Sequence, residues 1–170
     1  MYRILPYTLL FVVVVLMQVF LFDNLLVSIY LNPLIYIAFI LLLPLDTPQW
    51  VMLALGLAMG TTMDYVMGIP GLNTLSTLPV AFLRPRLTAF FCNRDEEREG
   101  GVPSPERFGH QKFIEYILLG VLAHHIVFFM MEALSSDFLM HTILRIILSA
   151  AMTVGFVWLI ARVFTANSVR

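Results

Sequence analysis

Apolar stretches of near-uniform length, repeated along the chain with few charges, constrain this sequence more than anything else in it. A helix needs about 20 apolar residues to cross a hydrocarbon core of about 30 Å. Ile4 to Phe22, Trp50 to Met67, Leu72 to Phe91, Phe113 to Ala133 and His141 to Phe164 meet or approach that length. In lipid, every backbone polar group must be satisfied internally, so such stretches predict helices. The rest of the composition agrees: 60% of residues are hydrophobic and only 12% charged, against about 25% charged in soluble domains. The expected fold class is an all-α integral membrane protein in one polytopic domain, residues 1–170.

A second stretch, 25–45, is harder to place. Asn32-Pro33 interrupts it, and the 13 residues from Pro33 to Leu45 would give only about 20 Å of helix. A kinked helix from about Leu25 would be long enough. Charge asymmetry favours that reading. Arg84, Arg86, Arg94, Arg98, Arg107 and Lys112 cluster from the end of the Leu72 to Phe91 stretch to the start of the Phe113 to Ala133 one, which marks that side as cytoplasmic. Arg3, Arg162 and Arg170 share it only if an even number of helices separates them. The expectation is therefore a six-transmembrane-helix bundle with spans at 4–22, 25–45, 50–67, 72–91, 113–133 and 141–164. Both termini then lie on the cytoplasmic side, with Arg84 and Arg86 at the cytoplasmic interface. The loop 92–112, rich in Gly, Pro, Ser and mixed charge, is expected to be irregular and solvated. After the first stretch, Phe22-Asp23-Asn24-Leu25 offers no small-x-small cleavage pattern, so a retained helix is expected there.

The third stretch and its turn read GLAMGTTMDYVMGIPG. Gly56, Gly60, Asp64 and Gly68 recur every fourth residue and so share one slowly drifting helix face, ending at the Pro70-Gly71 turn. Small residues at that spacing admit a second backbone, and a carboxylate on the same face cannot face lipid. The stripe thus predicts helix packing or partner binding, with Gly60→Leu expected to dismantle an assembly while leaving insertion intact. Further along, His124, His125, Glu132 and Arg145 are candidates for an intramembrane polar network. Adjacent histidines point about 100° apart on a helix and cannot easily ligate one ion, so hydrogen-bonding roles are expected for them. Arg145 is expected to pair with Asp64 or Glu132.

Several function classes find no support in the sequence. No Ser/His/Asp or Cys/His set, phosphate loop or zinc-helix motif is present, and a lone intramembrane acid lacks the second group that hydrolysis needs. Cys92 is the only cysteine and net charge is −1, which excludes an intrachain disulfide or thiolate cluster and gives no basic stripe for nucleic acid. No enzyme activity, cofactor or metal is expected.

The G-x3-G-x3-D-x3-G-x-P-G run from Gly56 to Gly71 resembles that of the bacterial rod shape-determining MreD family. So do Asn32-Pro33-Leu34-Ile35-Tyr36, Phe82-Leu83-Arg84-Pro85, and the His124-His125 and Glu132-Ala133 pairs, which are similar to versions in the Bacteroidetes branch. The resemblance extends over nearly the whole chain. It implies a non-catalytic inner-membrane scaffold of the cell-elongation complex that docks MreC, a protein with one membrane helix. MreB, RodA and a class B penicillin-binding transpeptidase would be reached through that complex, and membrane lipid would surround it. It also implies a fold similar to the substrate-binding component of energy-coupling-factor transporters. From this comes a competing reading: a small-molecule- or lipid-binding subunit with Asp64 and the Pro70-Gly71 turn lining a pocket.

Overall fold

The computed structural model describes residues 4–22, 31–92, 100–133 and 139–168. Arg3, the 25–30 start of the second stretch, Arg94 and Arg98, the 135–138 part of the turn before the last helix, and Arg170 lie outside them. Helix α1 (Ile4–Met17) continues into a π-helical turn (Gln18–Phe22). A non-helical segment from 31 leads through a turn at 35–36 into α2 (Ile37–Leu41), which is only five residues long. Then come α3 (Gln49–Met67), α4 (Leu72–Phe91), the one-turn α5 (Pro105–Phe108), α6 (His110–Ala133) and α7 (Leu139–Ser168). Among the described residues there is no strand.

Among the described residues, four helical stretches are long and apolar enough to cross a membrane: Leu5–Phe22, Gln49–Met67, His110–Ala133 and Met140–Thr165. That is fewer than the six expected from the sequence. Helix α4 has 20 residues, enough to cross, but Asn73, Ser76, Thr77, Arg84, Arg86 and Thr88 dilute its apolar character. The second stretch departs further. Over its described part it is helical only at Ile37–Leu41, not along a continuous kinked helix to Leu45. Pro33 lacks an amide proton and biases Asn32 toward extended backbone, and Pro44 stands just past the helix end.

The long helices pack in succession, α3 on α4, α4 on α6 and α6 on α7, while α2 touches α1, α3, α4 and α6. Ring contacts Tyr7–Phe164 at 5.5 Å and Phe22–Phe156 at 4.7 Å bring α1 alongside α7. The result is a wall of helices around residues 34–43, each of which is at most 2% exposed. Large apolar side chains cover the outside, and polar ones lie scattered within the apolar interior. Leu9, Leu57, Phe82, Phe90, Ile147 and Leu159 face outward, whereas Gln18, Asn73, Ser76, Thr77, Arg84, His124, His125, Ser149 and Thr153 are buried. Hydrocarbon outside and polar groups within is the arrangement that a lipid solvent demands.

Part of the loop read as solvated is packed instead. Pro103, Ser104, Pro105 and Phe108 are buried, and the Leu45 amide donates to the Gly101 carbonyl at 2.8 Å. The apolar Phe108 ring provides the reason, since it seats against Phe113 and Tyr116 at 6.4 and 5.5 Å. Residues 93–99 of that loop lie outside the described ones.

Candidate functional site

The stripe on α3 meets a second backbone, and that backbone is the chain's own α4. A Cβ on Gly56 would stand 2.8 Å from the Ala81 Cβ, and one on Gly60 only 2.5 Å from the Thr74 Cα. These two positions are thus taken up by an intrachain contact and are closed to a partner's helix. The turn follows from its glycines. Gly68 ends α3 at φ 69° and Gly71 begins α4 at φ 84°, a left-handed backbone that glycine adopts without penalty.

Gly71 has no side chain with which to cap α4. Asp64, one turn before the end of α3, supplies the cap from outside. Its Oδ1 accepts the Asn73 amide at 2.7 Å, and its Oδ2 accepts the Thr74 amide at 3.1 Å and the Thr74 hydroxyl at 2.5 Å. These are the orphan donors of a helix's first turn. The carboxylate also sits at the positive end of the α4 dipole. Asp64 therefore has its partners in α4, and the alternative pairing with Arg145 does not occur. Outside this junction lies an open groove of about 740 Å³, lined by Thr61, Asp64, Tyr65, Gly68, Pro70, Gly71, Thr74, Leu75 and Leu78. Thr61 can face outward because its hydroxyl donates to the Leu57 carbonyl at 2.8 Å.

The remaining buried polar side chains converge on the non-helical segment 31–36 and on α2. Irregular backbone at membrane depth survives only where protein satisfies it. Here Gln18 does so twice, donating to the Pro33 carbonyl at 3.1 Å and accepting the Ile35 amide at 2.7 Å. Ser149 accepts the Asn32 amide at 3.0 Å, and Thr153 accepts that of Leu34 at 3.2 Å. His125 holds Thr153 in turn. Its Nδ1 lies 3.0 Å from the Val121 carbonyl and so carries the proton, leaving Nε2 to accept from the Thr153 hydroxyl at 3.2 Å. Tyr36 donates to Asn73 Oδ1 at 2.8 Å, and Ser76 donates to the Asn73 carbonyl at 3.0 Å. With those protons committed, His124 Nε2 donates to the Tyr36 and Ser76 oxygens at 2.9 and 3.1 Å.

At the far end of α2 the guanidinium of Arg84 collects the carbonyls that the short helix leaves open. It donates to Leu43, to Leu41 and, at 3.3 Å, to Pro44, and its Nε reaches the Tyr116 hydroxyl at 3.2 Å. Tyr116 itself donates to the Leu41 carbonyl at 2.8 Å. Arg84 is 1% exposed, so its side chain is turned into the protein; the Leu41 carbonyl it meets accepts from Tyr116 as well, and that of Pro44 from Thr47. Arg86 stays exposed, stacked over Phe82 at 5.2 Å.

The four residues expected to form one intramembrane network fall into two groups. His124 and His125 hold the central segment. Glu132 pairs with Arg145 at 2.9 Å near the ends of α6 and α7, and that arginine lies over the Phe129 ring at 4.9 Å. Among the described residues no group of three or more His, Cys, Asp or Glu could hold a metal ion. Gln18, Asn73, Ser76, Tyr116, Ser149 and Thr153 escape sequence reasoning, although each is a polar residue in an apolar stretch and that alone marks them.

Comparison adds no relative. No family model, curated protein or solved structure matches this chain. The geometry by itself supports a structural use for most of the intramembrane polar groups, whose protons and lone pairs go to backbone and to one another; among the described residues Asn73 Nδ2 and His124 Nδ1 are buried without a partner.

Proposed function

We propose that this chain is a non-catalytic scaffold subunit of the bacterial cell-elongation complex, set in the inner membrane and docking the membrane helix of MreC. Six passes, with the second broken at Asn32-Pro33 and both termini cytoplasmic, complete the reading. The resemblance to the MreD family motivates it. The observation that carries it is how the resembling residues are used: Gly56, Gly60 and Asp64 weld α3 to α4, Tyr36 and His124 brace the buried segment, and Arg84 caps α2. Residues spent on rigidity leave the outer faces for contact. A rigid apolar frame with an open groove beside Tyr65, Gly68 and Leu75 suits a single passing helix.

The transporter-like alternative draws on the same groove, since Asp64, Pro70 and Gly71 line it. The filled centre at residues 34–43 speaks only against a ligand held inside the bundle.

Depletion in the native cell tests the reading: rods should round up, and a single-span partner should co-purify in detergent. Photocrosslinkers at Tyr65 and Leu75 should capture that partner, and one at Phe128, buried on α6, should not. Normal cell width after depletion would overturn the proposal.

A further inference from the structure

We propose that Arg84 and Tyr116 form a latch that holds the C-terminal end of the buried segment closed, and that the packed loop 100–108 sets it. A helix of five residues is far too short to hold itself, because nucleation costs more than so few bonds return. The conformation of 37–45 is therefore dictated from outside. Its two ends are held separately. Gln18, Ser149 and Thr153 grip residues 32–35, while Arg84 and Tyr116 grip the carbonyls of residues 41, 43 and 44. The C-terminal end can release without disturbing the other.

The loop reaches the latch by two routes. Gly101 accepts the Leu45 amide at 2.8 Å, and the Phe108 ring stands edge-on to Tyr116 at 5.5 Å. Gly120 provides the seat on the opposite side, since a Cβ there would fall 2.5 Å from Leu41 Cδ2. A ligand or protein that pulls on 100–108 moves Tyr116 and Leu45 together and so frees α2. This device is independent of which partner the scaffold docks.

Cys92 is the only cysteine, so a Cys92→Ser background allows single reporters. Leu43→Cys reports on the latch and Val157→Cys, on α7, reports on the whole bundle; both positions are buried, at 2% and 0% exposure. In lipid nanodiscs, a membrane-impermeant maleimide should label both slowly. Adding Arg84→Gln should speed labelling at 43 by about tenfold or more, the scale of one lost hydrogen bond to a charged group, with 157 unchanged. Tyr116→Phe and Phe108→Ala should each speed labelling at 43 by a smaller factor. If Arg84→Gln yields no folded protein, those two variants decide. Unchanged labelling at 43 overturns the latch, and so does an equal rise at 157.

Discussion

Asp64 accepts two amide protons and a hydroxyl proton from the first turn of the next helix, so replacing it acts on α4 more than on α3. Asp64→Ala should cost about 1–2 kcal/mol, the range for losing a helix cap, and Asp64→Asn, which keeps an acceptor, should lose less. Reversible unfolding in mixed micelles would read the difference; equal losses would mean that the charge, not the cap, matters. The Glu132–Arg145 pair is partly exposed, at 37% and 28% of each side chain. Arg145→Glu should destabilise by about 1–3 kcal/mol, as expected when a charged hydrogen bond is broken, and the added Glu132→Arg should recover much of it. The same unfolding assay measures both. This pair is legible in the sequence as opposite charges at matched depth. Arg84 is not legible, because its partners are carbonyls of a segment more than forty residues away, and carbonyls leave no mark in a sequence.

Among elements, the α3–α4 hairpin depends on contact between backbones. Gly60→Leu would drive a side chain into the Thr74 backbone and part the two helices. The expected outcome is loss of the folded monomer, seen as aggregation on size exclusion, and not the selective loss of a complex. Apolar length makes the long helices easy to find, and α4 runs between Leu72 and Phe91 as its pattern suggests. The second stretch resists such reading. Its run of apolar residues looks like a helix on composition alone, and only the polar side chains of the turn after α1 and of α4, α6 and α7 reveal that non-helical backbone lies between them. The spacing of those side chains, single polar residues facing inward on several helices, is the signal that pattern counting along one helix overlooks.

For the molecule as a whole, a centre filled by its own chain leaves the outer surface as the place for business. Native mass spectrometry should find the purified protein with lipid at most; a retained vitamin-sized molecule would revive the binding-subunit reading. The outer profile is uneven. Ser76 sits four residues from the start of α4, about 6 Å, whereas the facing His124 sits nine from the end of α6, about 14 Å. Counted from that contact, α6 runs on about five residues further than α4 does toward the α3–α4 turn. The cap on α4 has a further consequence for biogenesis. Because the acceptor for its first amides is borrowed from the preceding helix, the leading end of α4 is finished only when α3 stands beside it. Either helix made without the other would keep its half of the junction open: bare amides at the start of α4, and on α3 a carboxylate with nothing to hold.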